Sequence, residues 1–239
     1  MRAPVMFQGW CSLTFLHWPC DPGLLQTRLP PGLQIDTYEH TGWVGLTPFH
    51  LTGLRPPFLP PLPGLSRFPE TNLRTYVHGP AGPGIWFFSL DAASAAAVAG
   101  ARLTYGLPYY RATMRIRRAG ARIEYISART GAETAIRVEI GDPWPQADAR
   151  TRFLTERYRL YAERRGSLVT AAVEHVPWPL HHASLVGCEE TLRRAAGLPG
   201  DGPPRLVHYS PGVRTRIGPP RRIARVLHPA PSGAAPAPR

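Results

Sequence analysis

Proline (29) and glycine (23) together fill 52 of the 239 positions, and this density constrains the fold more than any other feature. Proline lacks a backbone donor and clashes with the preceding helical turn, while glycine carries the largest backbone entropy cost inside a regular element. A chain punctuated this often is not a helical bundle. It reads as a loop-rich β protein, with short strands between tight turns. Hydrophobic residues at 43% and aromatics at 10% supply a real core and exclude wholesale disorder.

Between the turn signals the elements read in order. Residues 8–18 suit a strand. Asp21 is a plausible N-cap, with Pro22 at the first helical position, so 21–29 reads as a short helix stopped by Pro30-Pro31-Gly32. Residues 42–51 form another strand candidate, followed over 55–69 by a loop with six prolines. Residues 72–78 and 85–90 read as strands, and alanine-rich 94–103 as a helix broken by Gly106-Leu107-Pro108. A strand meander follows over 109–117, 122–128 and 135–140. Residues 151–164 give the clearest helical pattern, with Leu154, Tyr158 and Tyr161 on one face. Strand 168–176, helix 189–196 and strand 205–209 complete the pattern, and 229–239 is a Pro/Ala-rich tail expected to be disordered. The expectation is one α+β domain over 1–228: a large, mostly antiparallel sheet that curls or closes, with a few flanking helices.

The formal net charge of +12 comes entirely from arginine, because the sequence contains no lysine. No ε-amine is present to form a Schiff base. The charge is uneven: residues 1–101 hold five arginines and five acids, and the remaining 138 residues hold 23 and 11. Such a basic half is compatible with nucleic acid or anionic lipid, but no helix-turn-helix, zinc-finger or RNA-binding signature accompanies it, so nucleic acid is not expected. The N-terminal apolar run is interrupted by polar residues, and alanine-rich 92–101 is too short to span a bilayer, so a cytoplasmic protein without a membrane partner is expected. Cys11, Cys20 and Cys188 lack disulfide or metal spacing and read as small buried hydrophobes. His181 and His182, adjacent on a strand, point to opposite faces, and with distant Cys188 they fall short of a zinc set. Neither a metal nor a cofactor is expected. Dinucleotide, P-loop, G-x-S-x-G and H-E-x-x-H signatures are all absent.

The chemistry-bearing residues lie inside apolar segments. In 68–77, Glu70, Asn72, Arg74 and Tyr76 share one parity, so on a strand all four project from one face. That face is either solvent-exposed or a polar cavity wall. Tyr105-Gly106-Leu107-Pro108 delivers Tyr109 and Tyr110 to a strand start, one phenol to each side. Each serves either core packing or hydrogen bonding to an oxyanion or enolate. Arg74 is suited to clamping a carboxylate, and Glu70 to acid–base work, its pKa raised if buried away from Arg74 and lowered if paired with it. His17 and the His208-Tyr209-Ser210 run are weaker candidates.

Eight short blocks in order (15–19, 29–33, 43–49, 62–77, 86–91, 105–114, 176–180 and 208–213) resemble the YqjF-like family of bacterial proteins of unknown function, over most of 8–226. The resemblance implies an acetoacetate decarboxylase-like fold, a cone-shaped β-barrel enclosing a ligand cavity. The decarboxylases carry a Tyr/Gly-x-Pro-Lys-Lys stretch whose first lysine forms the Schiff base. Here Tyr109 and Tyr110 stand in the lysine places. Glu70 falls near the position of an active-site glutamate in those enzymes. An N-terminal active-site arginine has no counterpart, that region offering Trp10 and Cys11. The resemblance therefore implies a pocket without iminium chemistry.

Taken with that resemblance, Glu70, Asn72, Arg74 and Tyr76 read as a cavity wall. The expected function is binding of a small anionic carboxylate or carbonyl compound, or a lyase-like reaction without a Schiff base. Glu70, Tyr109 and Tyr110 are the catalytic candidates, and Arg74, Asn72 and Tyr76 the substrate-binding ones. The alternative is a non-enzymatic structural, regulatory or anion-binding interaction protein. Relatives in the superfamily often assemble, which leaves room for a homo-oligomer.

Overall fold

The computed structural model describes residues 3–226, so the expected tail at 229–239 lies outside the described residues. In chain order the elements are β1 (Met6–Cys20), α1 (Pro22–Gln26), β2 (Gln34–Ile35), β3 (Gly42–Arg55), β4 (Phe68–Gly79), β5 (Gly82–Ala92) and α2 (Ala95–Tyr105). Then follow β6 (Tyr109–Arg111), β7 (Thr113–Ala119), β8 (Arg122–Arg129), β9 (Ala132–Pro143), α3 (Ala149–Thr155) and β10 (Arg159–Glu163). The last elements are β11 (Ser167–Glu174), β12 (His181–Glu190), α4 (Leu192–Ala195), β13 (Leu206–Ile217) and β14 (Arg221–Arg225).

Among the described residues all fourteen strands join one sheet, twelve along the path β14-β11-β10-β5-β4-β3-β1-β13-β12-β9-β8-β7, with β2 paired to β4 and β6 to β5 off that path. Most pairings are antiparallel, and β4–β5, β7–β8, β8–β9 and β10–β11 are joined by short turns such as Gly120-Ala121, where Gly120 has φ 59°. The parallel exceptions are β10 and β6, both against β5. β11 also pairs with β13, through Val173 with Ile217 and Glu174 with Arg216. The path from β11 through β10, β5, β4, β3 and β1 to β13 thus returns on itself as a ring of paired strands.

This topology gives β4 two covered faces, and Glu70 through Val77 are all buried. One face carries Leu73, which packs with Leu16, Val44 and Leu46 against Ile123, Tyr125, Ile136 and Val138 of β8 and β9. These two strands lie over the outside of the ring, and the Tyr125 hydroxyl fastens them by donating to the Ser12 carbonyl at 2.8 Å. The opposite parity faces the interior of the ring, where Leu13, Phe15, Phe49 and Trp178 cluster. The polar parity of β4 is therefore not a solvent face.

Helix starts follow the capping chemistry of the sequence. Asp21 accepts from the Leu24 backbone at 2.7 Å, and Ser94 accepts from the Ala97 backbone. Elsewhere the structure corrects the sequence expectations. The helix over 151–164 ends at Thr155, and Arg159–Glu163 is strand β10. Leu160, Tyr161 and Ala162 are consecutively buried between β5 and β11, a slot only an extended chain can fill. Glu189 and Glu190 belong to β12, so the late helix shrinks to Leu192–Ala195. The last predicted strand runs on to Ile217, and β2, β12 and β14 have no counterpart among the predicted strands. The cysteines are free but only half-buried. Among the described residues no helix is long and apolar enough to cross a membrane.

Candidate functional site

Strand alternation carries Glu70, Asn72, Arg74 and Tyr76 in sequence down the interior of the ring. Their partners on β3 are Phe49 opposite Glu70, Thr47 opposite Asn72 and Gly45 opposite Arg74. Gly45 is there for space. A Cβ at that position would stand 3.1 Å from the Tyr76 hydroxyl, 3.3 Å from the His17 ring and 3.4 Å from Cγ of Arg74. The Arg74 stem passes through the room so left.

Tyr109 arrives from the other side through the end of α2. Gly106 closes that helix in the left-handed region (φ 73°), and its N–H donates to the Arg102 carbonyl. A side chain at Gly106 would meet the Glu163 carbonyl at 2.6 Å. Pro108 then feeds β6, which lies parallel to β5 with Tyr109 beside Leu90. The Tyr109 hydroxyl donates between both Glu70 carboxyl oxygens, at 3.1 Å to each. Tyr110 takes the opposite side of β6: it is 39% exposed, with the Arg129 guanidinium 4.1 Å and that of Arg102 5.7 Å from its ring centroid.

A cavity of about 430 Å³ is lined by Glu70, Asn72, Arg74 and Tyr109. Tyr76 is fully buried just beyond its floor. Its hydroxyl donates to the Leu154 carbonyl of α3 at 2.7 Å and lies 2.7 Å from Nε2 of His17. With the phenol proton committed to Leu154, the neutral His17 ring donates from Nε2. Burial first, then the Arg74 charge, holds His17 well below its usual pKa. Tyr76 and Tyr110 therefore stand apart from the cavity, the first as its underpinning and the second outside it.

Burial dominates the electrostatics. Glu70 is 3% exposed, and burial pushes its carboxyl up to about 8, the Tyr109 and Asn72 hydrogen bonds pulling down and the Asp91 charge adding to the rise. Asp91 is itself ion-paired to Arg129 at 2.9 Å. Burial and the adjacent Glu70 hold the Tyr109 phenol well above its usual value. At neutral pH the Tyr109 phenol therefore keeps its proton and Glu70 is mostly protonated. Arg74 is 6% exposed and makes no carboxylate ion pair among the described residues. Its Nε and Nη2 lack hydrogen-bond partners, as does Oδ1 of Asn72. Its nearest aromatic face is Phe15, 5.4 Å from the guanidinium carbon to the ring centroid.

The sequence reading missed part of the wall. Trp178 donates its indole N–H to the Thr155 carbonyl at 2.9 Å and stacks on Trp10, centroids 5.9 Å apart and planes 13° apart. His175 completes that wall, its ring 4.8 Å from Trp178 and its pKa lowered by burial. Flanking prolines at 177 and 179 mark Trp178 as a fixed residue in the sequence, but nothing local says that it faces a cavity. His208 lies near Trp144 instead, 5.1 Å between rings, with burial lowering its pKa to about 4. His181 and His182 sit on β12. Among the described residues no group of three or more His, Cys, Asp or Glu side chains is placed to hold a metal.

Comparison with known proteins gives this geometry a setting. A model of the DUF2071 family, described as an uncharacterized conserved protein, matches residues 7–214. The uncharacterized protein YqjF of Bacillus subtilis (strain 168) is 41% identical over 213 residues, covering 86% of this chain and 87% of its own. Among solved structures, an acetoacetate decarboxylase-like enzyme from Sphingomonas wittichii RW1 aligns with a TM-score of 0.67 at 15% identity, over 93% of this chain and 94% of its own. The enduracididine biosynthesis enzyme MppR complexed with pyruvate aligns with a TM-score of 0.63 at 15% identity, over 93% and 91%. At such identities the structural likeness concerns the fold.

Proposed function

The chain belongs to the DUF2071 family, and from that premise we propose that its cavity binds a small anionic carbonyl compound and moves a proton on it without a covalent intermediate. One observation carries this reading: a buried guanidinium, Arg74, lines the cavity with no carboxylate beside it among the described residues. A buried unpaired charge costs several kcal/mol, a cost that a bound carboxylate offsets by bidentate hydrogen bonding. We read the ring of strands as the cone-shaped barrel that the resemblance implies, with this cavity inside it.

Glu70 supplies the chemistry. With its carboxyl up at about 8, it is mostly protonated at neutral pH, with a minor ionised fraction able to accept a proton. It takes the proton from the carbon next to the substrate carbonyl, the C–H electron pair moving into an enolate, and returns a proton to that carbon. Tyr109 holds the carboxyl in place through its shared hydrogen bond. The absence of lysine removes the Schiff-base route, so Arg74 and the buried wall must do the holding. MppR, alike in fold, holds pyruvate in its solved complex, a compound of this chemical class.

The test is a thermal-shift screen of oxo acids of four to ten carbons, with the carbonyl at graded distances from the carboxylate so that one member spans Arg74 and Glu70, followed by proton NMR of the hits in D₂O. The expected result is stabilisation that disappears in Arg74→Ala, with exchange next to the carbonyl that disappears in Glu70→Gln while binding persists. A panel with no stabilising acid refutes the binding reading. Binding with exchange unchanged in Glu70→Gln refutes the role of Glu70.

A further inference from the structure

The outer half of the cavity differs from its floor. Four residues along β4 separate Arg74 from Glu70, about 13 Å at 3.3 Å per residue. Beyond Glu70 the cavity continues between α2 and the 55–67 loop. On one side α2 presents Ala97, Gly100 and Ala101, which leave space where larger side chains would close it. On the other side Leu62 and Leu65 line the mouth while 59% and 48% exposed. Large apolar side chains standing in water at a cavity mouth gain nothing until something apolar covers them. The walls between mouth and floor, Phe49, Leu51 and Leu90 among them, are apolar as well.

We propose that the ligand is an alkyl-chain carboxylate, its head group on Arg74 and its chain running outward past Glu70 between α2 and the 55–67 loop. This rests on the reading of Arg74 as the carboxylate site and specifies the substrate class of that site. Arg74 supplies the observation that points to a ligand independently of the small residues on α2: it is buried, lines the same cavity, has no carboxylate beside it among the described residues, and leaves Nε and Nη2 unsatisfied although the Tyr76 phenol accepts from it. The volume of about 430 Å³ lies within the roughly 300–1,000 Å³ of cavities that hold drug-sized ligands. A three-carbon oxo acid would leave the apolar outer half to water.

Titration calorimetry with acetate, butanoate, hexanoate, octanoate and decanoate, below their micelle concentrations, tests this. In the wild type each added methylene tightens binding by up to about fourfold, the equivalent of about 0.8 kcal/mol per buried CH₂. Ala101→Phe, which fills the outer channel, flattens that dependence and leaves butanoate binding intact. Leu62→Ser, a change at an exposed position of the loop, weakens decanoate more than butanoate and guards against a folding failure of the first variant. Affinity that is level from butanoate to decanoate in the wild type overturns the alkyl channel while leaving the carboxylate site standing. No binding of any acid, octanol binding as tightly as octanoate, or affinities equal in Arg74→Gln, overturns the carboxylate site itself and this inference with it.

Discussion

Replacing Glu70 with glutamine keeps the shape of the side chain and removes its titration, so the pH dependence of the effect reads the burial of the carboxyl. In the folded chain the group titrates at about 8, against an ordinary value of 4.5. Between those values the folded state holds a proton that the unfolded state has released, so wild-type stability falls as pH rises across that window. The slope is about 1.4 kcal/mol per pH unit, and over the full shift the loss approaches about 5 kcal/mol. At 3% exposure little solvent screening reduces it. The assay is urea denaturation of wild type and Glu70→Gln from pH 4 to pH 9. Every other titrating group cancels in the difference. The variant gains stability relative to wild type from about pH 4.5 upward and levels off above about pH 8. A difference that does not vary with pH refutes the reasoning. A difference of opposite sign, with wild type gaining as pH rises, would mean that Glu70 is ion-paired and that Arg74 is not free for a ligand.

Two further changes probe the same architecture. Tyr109→Phe removes a hydrogen bond that pulls the Glu70 pKa down, so the levelling-off in the same difference experiment moves above pH 8. The variant loses about 1–3 kcal/mol where Glu70 is ionised, and less at pH 6. Tyr110→Phe, on the exposed side of β6, leaves that profile unmoved. Gly106→Ala places a Cβ against the Glu163 carbonyl in a left-handed residue, costing at least about 1–2 kcal/mol by denaturation, and displaces Tyr109 enough to shift the Glu70 titration as well.

Where the sequence was legible, the signal was local. Asp21 caps its helix because capping needs only a side-chain oxygen three residues before a free N–H. The parity of Glu70, Asn72, Arg74 and Tyr76 needed nothing beyond strand alternation. Local signals failed where a distant segment decided. Leu154, Tyr158 and Tyr161 mimic a helical face, yet Tyr161 pairs with Trp86 of β5 and Thr170 of β11. Closing the ring needs a strand at that place, and sheet pairing overrides a three-residue periodicity. Tyr109 and Tyr110 were readable as one phenol per side. Which one faces inward depends on the register of β6 against Leu90 and Asp91, and no feature near residue 109 encodes that. Trp178 stayed hidden for the same reason, since its place beside Trp10 depends on two segments brought together from opposite ends of the chain.

The charge state of Glu70 belongs between these cases. Its sequence context allowed a raised pKa or a lowered one, depending on whether Arg74 pairs with it. Once both residues lie on one extended strand, their Cα atoms are about 13 Å apart, a span that a carboxyl and a guanidinium close only by bending toward each other. Each has a reason not to bend. Glu70 is engaged by the Tyr109 phenol, and the Arg74 stem passes through the space that Gly45 leaves. The same spacing that leaves the acid without a cation leaves the cation without an acid. The two unusual groups in the cavity, a neutral carboxyl and an unpaired guanidinium, thus have one cause, and a ligand anion on Arg74 relieves the second without ionising the first.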